Sequence, residues 1–245
     1  MRKVLVLVLS IICLVSGVIC ITDILQKQQE EKQYDVLRES VTIETTIAAT
    51  EVETIESVDE TEPVVNTYEA PEGLSNLMDT NTSVIGWLKI DGTNVDYPVV
   101  QKIDDNEYFL HRDINGNESK SGSIYLDSNH DVNEPGLHVI YGHHMKNGTM
   151  FKDVAKFISD DYMKEHSNIT IWTDEKEICL KPVYCYAGPA DGAYRGVISS
   201  KEELEAFLYE KTGQEIEGEN IFVFITCSYG GADERTYLIL QEVTE

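Results

Sequence analysis

The chain has 245 residues, of which 42% are hydrophobic, enough for one sizeable core in one or two domains. Its formal net charge of -25 argues against nucleic acid as a partner, because a surface that binds phosphates needs clustered Lys and Arg. Beyond the first few residues the sequence contains no basic stripe.

The N-terminus joins a basic tip to an apolar run over residues 4–21. About 18 residues at about 1.5 Å each approach the ~30 Å hydrocarbon core of a bilayer. Arg2 and Lys3 precede the run, so the positive-inside tendency keeps the N-terminus cytoplasmic and the rest outside. The alternatives are a cleaved signal peptide or a lipoprotein signal, but no small-x-small site follows the run and the residue before Cys20 is not small. We therefore expect residues 1–22 to be an uncleaved single-pass anchor in the cell membrane, with residues 1–3 as its cytoplasmic tip.

Residues 23–73 have a different composition. Lys and Arg are missing between Arg38 and Lys89, while Glu, Thr and Val dominate. Sequence of this kind repels itself and stays solvated, which predicts an acidic extracellular stalk. Residues 26–38 are rich in helix formers, so the stalk is expected to be partly helical. The folded domain is then predicted over residues 74–245.

Short apolar runs separated by turn signals recur through this domain and favour a mainly β fold, a barrel or a sandwich. Eight runs are predicted as strands: 84–90, 94–100, 122–127, 137–142, 169–173, 177–187, 221–227 and 236–243. Helical periodicity is clear only over residues 149–158 and 199–213, and the second segment has matched start and stop signals in its serines and Gly213. The domain is thus predicted to be a β structure with inserted helices.

Three of the five cysteines lie outside the expected anchor. Cys179 and Cys185 share one predicted strand about 20 Å apart, too far for a disulfide, and are expected to be core residues. Cys227 instead ends an apolar strand beside a glycine turn, where a thiol can serve as a nucleophile if a base takes its proton.

Two further residues complete a possible catalytic set with Cys227. His143 follows another apolar strand that ends in Gly142, and if the two strands are neighbours the imidazole and the thiol share one rim. Arg235 opens the strand after the Cys227 strand, and its guanidinium can hold a carbonyl or a developing oxyanion but cannot act as a base. The set predicts a nucleophile, a base and a fixed cation.

Several motifs occur in one order: GWLKIDGTNVDYPVVQ, NEYFLHRD, SGSIYLD, YGHHM followed by GTMF, and Thr-Cys with Arg eight residues later. In this order they resemble the class B sortases over the whole segment from about Leu74 to Glu245. The resemblance implies an eight-stranded sortase-type β-barrel with a helix before the Cys strand, preceded by an anchor and a stalk. Only the last two positions of the family's Thr-Leu-x-Thr-Cys motif agree here, at Thr226 and Cys227.

The resemblance also implies site residues. It assigns catalysis to His143, Cys227 and Arg235, and the backbone N–H of Ser228 to the oxyanion. It assigns substrate binding to Tyr141, Tyr194 and Thr226. His144 stands where relatives often have Asn, which leaves open which of the two histidines acts.

The implied activity is that of a cell-surface cysteine transpeptidase. Such an enzyme cleaves a C-terminal sorting signal of the Asn-Pro-x-Thr type after Thr, holds the protein as a thioacyl intermediate and passes it to a peptidoglycan amine. Its partners would be surface proteins with that signal, the cell-wall amine and the membrane; no cofactor, metal or nucleic acid is expected. Alternatives are polymerisation of pilin subunits, hydrolysis by a cysteine peptidase, and a non-catalytic tethered binding module.

Overall fold

The computed structural model describes residues 2–41, 68–227 and 233–243. The chain divides into two compact units, Met1–Val41 and Thr42–Glu245. The first unit contains one helix, α1 (Arg2–Ser40), part of which is long and apolar enough, by length and composition alone, to cross a membrane. The helix runs through the predicted end of the anchor at residue 22 and includes residues 26–38, whereas residues 42–67 of the expected stalk lie outside the described residues.

The second unit is a closed eight-stranded barrel with the strand order β1-β2-β3-β4-β7-β8-β6-β5. The strands are β1 (Val84–Ile90), β2 (Asp96–Val100), β3 (Ile124–Leu126), β4 (Gly136–Tyr141), β5 (Ile169–Trp172), β6 (Glu177–Pro189), β7 (Asn220–Cys227) and β8 (Glu234–Glu242). The pairs β2–β3 and β4–β7 are parallel and the other six are antiparallel. The predicted barrel is therefore confirmed, strand by strand.

Helices flank the barrel. They are α2 (Glu72–Thr80), α3 (Asp160–Glu165) and α4 (Lys201–Thr212), with 3-10 helices over Tyr108–His111, Asp153–Ile158 and Gly192–Arg195. The helical pattern at residues 149–158 thus becomes a short 3-10 helix, while the predicted helix at 199–213 is α4. Ser200 caps α4 by accepting a hydrogen bond from the Glu203 N–H, and Gly213 ends it with a φ of +68°.

A layer of apolar side chains joins α4 to the barrel wall. Leu204 and Leu208 of α4 pack against alternate residues of three strands. These strand residues are Leu137 and Val139 of β4, Ile221, Val223 and Ile225 of β7, and Tyr237 and Ile239 of β8. Because strand residues alternate between faces, the intervening residues of β7 face the other side, and every residue from Ile221 to Thr226 is buried. Burial on both faces explains the continuous apolar run that precedes Cys227.

The cysteine pair of β6 differs from the sequence-based expectation. Cys179 is exposed, because the alternation of β6 places Ile178 and Leu180 inward and Cys179 outward. Its assignment to the core was wrong. Cys185 is half-buried, and burial raises the pKa of its thiol to about 12.

Candidate active site

The register of β7 against β8 brings the thiol and the guanidinium together. Cys227 is the last residue of β7, half-buried, and lies directly opposite Arg235 in the antiparallel ladder. The preceding pair, Thr226 and Thr236, is fully inside the barrel wall, with 2% and 0% exposure. The strand pairing therefore fixes the two backbones that carry the predicted nucleophile and cation as cross-strand neighbours.

The parallel pair β4–β7 brings the imidazole to the same rim. Tyr141 is paired with Ile225, and the Gly142 N–H donates to the Ile225 carbonyl at 3.2 Å. A Cβ on Gly142 would lie 2.5 Å from Ile124 Cδ1 and 2.7 Å from the Phe151 ring, so only glycine fits here. His143 follows Gly142 directly and lies two residues beyond Tyr141, the last residue of the ladder.

The ring of His143 is held by one hydrogen bond. Its Nε2 lies 2.8 Å from the Leu110 carbonyl oxygen. Because a carbonyl only accepts, Nε2 must carry the proton and Nδ1 is the ring nitrogen left for chemistry. Burial lowers the pKa of His143, the Leu110 bond raises it, and the positive charges of His111 and Arg235 lower it further. The net shift is downward, which favours the neutral imidazole near pH 7.

A cleft of about 400 Å³ opens where these strand ends meet. Cys227, His143 and Arg235 all line it, which brings together the three residues predicted from the sequence. Its other described walls are Glu107, Leu110, Tyr125, Tyr141, Gly142, Ala190, Asp191, Gly192, Arg195, Ile225, Thr226 and Tyr237. The cleft thus offers a thiol, an imidazole and a guanidinium to one bound molecule.

Two residues predicted to bind substrate also line this cleft. The Tyr141 hydroxyl donates to Asp127 Oδ2 at 3.0 Å, and burial together with the Asp127 charge raises the pKa of Tyr141. Thr226 is 2% exposed, and its Oγ1 has no hydrogen-bond partner among the described residues. Tyr141 and Thr226 therefore remain candidates for peptide contacts. Ser228, whose N–H was assigned to the oxyanion, lies outside the described residues.

Tyr194 occupies a different environment from the one the resemblance implied. Its side chain is fully buried, hydrogen-bonded to the Tyr186 hydroxyl at 2.8 Å and packed between the rings of Phe207 and Tyr237. It is not among the described residues that line the cleft. The side chain from this segment that reaches the cleft is that of its neighbour, Arg195.

Sequence reasoning missed Arg195, which lines the cleft, and the buried carboxylate of Asp127. Asp127 is fully buried directly after β3, and its carboxylate accepts from the Asn129 N–H, from the Asn106 amide and from the Tyr141 hydroxyl. Burial lowers the pKa of Arg195, but its side-chain hydrogen bond with Tyr141 and, to a smaller extent, the negative charge of Asp127 raise it, and the net shift is upward. The available signal was Asp127 itself, a carboxylate directly after an apolar strand.

The second histidine, His144, contacts the Cys227 backbone. Its Nδ1 lies 2.8 Å from the Cys227 carbonyl oxygen, so Nδ1 carries the proton and donates. His144 also forms an isolated β-bridge with Met150. The two adjacent imidazoles are thus used differently: one is fixed through Nε2 and the other through Nδ1.

The loop at Asp113 forms a turn. Asp113 Oδ1 accepts from the N–H groups of Asn115 and Asn117 at 3.0 and 2.8 Å. Within residues 2–41, 68–227 and 233–243, no group of three or more His, Cys, Asp and Glu side chains is placed to hold a metal ion.

The closed barrel thus carries a thiol, an imidazole and a guanidinium on one rim, three groups that together can perform acyl transfer. The Sortase domain family matches residues 88–241, more than half of the chain. The chain therefore belongs to the sortase family.

Two curated relatives that the chain resembles are both named sortase B. Sortase B of Listeria monocytogenes is 37% identical over 100 residues, 40% of this chain and 40% of that protein. Sortase B of Staphylococcus aureus is 23% identical over 147 residues, 59% of this chain and 60% of that protein. The aligned segments thus span less than two thirds of these relatives.

Solved structures agree on the fold. A mutant form of Clostridium perfringens sortase B matches with a TM-score of 0.63 and 29% identity, covering 71% of this chain and 87% of that one. The Staphylococcus aureus sortase B–substrate complex matches with a TM-score of 0.71 and 20% identity over 90% of this chain and 99% of that one. A sortase B complexed with triglycine matches with a TM-score of 0.71 and 19% identity over 89% of this chain and 99% of that one.

Proposed function

We propose that this chain is a cysteine transpeptidase that cleaves a C-terminal sorting signal and transfers the released protein to an amine. The observation that carries the proposal is the single cleft lined by Cys227, His143 and Arg235 in a barrel of the sortase family. A thiol can form an acyl intermediate, an imidazole can move the proton, and a guanidinium can stabilise the oxyanion. Each half-reaction needs all three groups.

In the first half-reaction Nδ1 of His143 takes the proton of the Cys227 thiol, and the resulting thiolate attacks the carbonyl carbon of the Thr in the sorting signal. The carbonyl electrons move onto oxygen, and Arg235 together with the backbone N–H after the thiol stabilises that negative charge. As the tetrahedral intermediate collapses, the C–N bond breaks and the leaving amine takes a proton from Nδ1 of His143. The products are a thioacyl enzyme and the released C-terminal segment.

In the second half-reaction an incoming amine attacks the thioester carbon. His143, now neutral, accepts the amine proton at Nδ1, the C–S bond breaks and the Cys227 thiolate leaves. A new amide bond replaces the one that was cut, so the energy of the first amide is retained in the thioester and no external energy source is required.

For the substrates we propose a sorting signal of the Asn-Pro-x-Thr type, cut after Thr, on a surface protein, with a peptidoglycan amine as acceptor. Two of the named sortase B structures hold a substrate and triglycine, a peptide amine. Those ligands support a peptide and an amine as the two substrates here. The same site residues would serve pilin polymerisation, in which the acceptor amine belongs to another subunit, and the experiment below separates amine transfer from hydrolysis.

We further propose that α1 anchors the enzyme in the cell membrane as a single pass, with residues 1–3 cytoplasmic and the barrel outside. The support is the apolar part of α1 and the basic residues before it. A barrel held outside the membrane by an acidic stalk would meet both a surface protein and the cell wall.

The test is mass spectrometry of the enzyme incubated with an Asn-Pro-x-Thr peptide, first without and then with triglycine. We expect an acyl adduct on Cys227 that triglycine converts to ligated peptide. Cys227→Ala should abolish the adduct, and His143→Ala and Arg235→Ala should each lower the rate by a factor on the order of 10² or more.

The matched control is Cys185→Ala, a half-buried cysteine outside the cleft, which should keep the adduct on Cys227. An adduct in the Cys227→Ala protein, or on Cys179 or Cys185, would overturn the mechanism. If the acyl adduct is hydrolysed at the same rate with and without triglycine, and no ligated peptide forms, the protein is a hydrolase.

A further inference from the structure

The cleft contains a second guanidinium that the proposed reaction does not use. Arg195 and Arg235 both line the cleft, and Arg195 is exposed. In the proposed reaction Arg235 stabilises the oxyanion, whereas no step requires Arg195. The chain as a whole carries a formal net charge of -25, so its general field repels anions. A cation in the cleft of such a protein is a local exception to that field, and it can hold an anionic group there.

The backbone that carries Arg195 is fixed on both sides. The side chain of the preceding residue, Tyr194, is fully buried. The Arg195 carbonyl accepts from the Asn129 side-chain amide at 3.1 Å. The next carbonyl, that of Gly196, lies 3.0 Å from Nε2 of His130, which must donate because a carbonyl only accepts. The Arg195 side chain therefore extends from a rigid base, and binding a ligand with it requires little ordering of the backbone.

The guanidinium is also held at its far end. Arg195 forms a side-chain hydrogen bond with Tyr141. The Tyr141 hydroxyl donates its own proton to Asp127 Oδ2 at 3.0 Å, so toward Arg195 it is the acceptor. A guanidinium has several N–H donors arranged as a fork, and one hydroxyl oxygen cannot occupy them all. Within the part of the chain that the structure describes, Arg195 forms no salt bridge with a carboxylate, so a substrate group can take the remaining donors.

The carboxylates of the cleft do not cancel this charge. Asp191 also lines the cleft, but Lys211 Nζ lies 2.8 Å from its Oδ2, and the hydrogen bond from Lys211 lowers the pKa of Asp191. Glu107 is the other acidic residue among the described lining residues. With Asp191 already paired, the guanidinium groups of Arg195 and Arg235 stand against one carboxylate. This balance favours an anionic group on the bound molecule.

We propose that Arg195 is a specificity-determining residue that binds a carboxylate carried by one of the two substrates. A guanidinium matches a carboxylate with two parallel N–H···O bonds, which add geometric selectivity to the charge attraction. The carboxylate can belong to the variable residue of the sorting signal or to the acceptor, because a peptide amine such as triglycine ends in a carboxylate. The inference rests on the proposed function, which supplies both substrates.

The first arm of the experiment measures binding and needs no turnover. The full chain with Cys227→Ala, in detergent, is titrated with two peptides that contain Asn-Pro-x-Thr, in which x is Glu or Gln and the C-terminus is amidated. The two peptides have nearly the same shape and differ in one negative charge. If the sorting signal carries the carboxylate, the Glu peptide should bind about 10-fold more tightly or better than the Gln peptide.

The second arm measures transfer. The acyl enzyme that the full wild-type chain forms with the Gln peptide is mixed with triglycine or with triglycine amide, which differ at the terminal carboxylate. If the acceptor carries the carboxylate, kcat/KM for triglycine should exceed that for the amide about 10-fold or more. The arm that shows the preference identifies the substrate that Arg195 binds.

Three variants are carried through both arms. Arg195→Gln removes the charge and the fork, so the ratio of carboxylate to amide should fall to within about twofold of one. Arg195→Lys keeps the charge without the fork and should keep part of the preference. Lys201→Gln is the matched control, because it removes one positive charge at the start of α4 and is not among the described lining residues of the cleft. It should keep the wild-type ratio.

The outcomes separate the two proposals. If wild type forms no acyl adduct, the proposed function fails; a preference for the Glu peptide that depends on Arg195 would still support carboxylate binding, and equal binding of the two peptides would overturn it too. If the adduct forms and neither arm prefers the carboxylate, the role of Arg195 alone is wrong. A preference that Arg195→Gln leaves unchanged, or that Lys201→Gln removes equally, belongs to another charge and overturns the role as well.

Discussion

Acid should destabilise the barrel through one buried histidine, His138. This residue lies on β4, is 2% exposed, and its ring packs on Phe222 with 4.5 Å between centroids. Its Nδ1 has no hydrogen-bond partner among the described residues. Burial lowers its pKa to about 4 from 6.5, with smaller contributions from the charges of His130 and Lys176, against the opposing effects of Asn220 and Asp131.

The sign and size of the effect follow from linkage. Between pH 6.5 and 4 the unfolded chain binds a proton that the native His138 does not, so the free energy of unfolding falls as pH decreases. The stability that depends on a neutral His138 is fully present above pH 6.5 and is lost as the pH falls toward 4. A shift from 6.5 to about 4 corresponds to about 3 kcal/mol in total, of which about 2 kcal/mol is lost between pH 7 and pH 5.

The assay compares urea unfolding of residues 42–245 at pH 7 and pH 5, in wild type and in His138→Leu. Leucine does not titrate, so the variant should lose about 2 kcal/mol less than wild type over this interval, whatever its stability at pH 7. The other ionisable groups are common to both proteins and cancel in the difference. Equal losses in the two proteins, or an NMR titration of His138 with a midpoint near 6.5, would refute the reasoning.

Two further predictions concern Tyr194 and the anchor. Tyr194→Ala should lower the free energy of unfolding by about 3 to 5 kcal/mol and Tyr194→Phe by about 1 kcal/mol, because the ring is buried and its hydroxyl is bonded to Tyr186. An unchanged melting temperature in Tyr194→Ala, with a raised KM for the peptide, would instead put the side chain in the substrate groove. The anchor should be retained in the mature protein, and N-terminal sequencing of membrane-extracted material that begins at or after Ile21 would contradict this.

The barrel could be predicted from the sequence because its signals are local. Each strand has its own apolar run, and each run is bounded by glycine or polar turn residues. The rim is also predictable to a degree, because Cys227 ends one predicted strand and Arg235 opens the next, and consecutive strands often pair side by side. What the residues alone left open was the parallel pairing of β4 with β7, which are separated by 78 residues (142–219) and share no turn.

The sequence-based errors concern residues whose side chains face the opposite way from those of their neighbours in the chain. A strand reverses its face at every residue, so Cys179 is exposed beside the buried Ile178, although cysteine is a residue type often found in cores. In the 3-10 helix over Gly192–Arg195, Tyr194 turns into the core and Arg195 toward the cleft, which no periodicity in four residues could decide. Contacts between a side chain and a distant carbonyl, such as that of His144, leave no pattern in the sequence.

The hydrogen bond from His143 to Leu110 also constrains the order of events in the proposed reaction. With Nε2 occupied, a single ring nitrogen must give a proton to the departing amine and take one from the arriving amine. Both amines must then stand at the same place beside the thioester, and the second can enter only after the first has gone. The released C-terminal segment and the acceptor thus compete for one position, so the mechanism is ping-pong and the leaving peptide inhibits transfer competitively against the incoming amine.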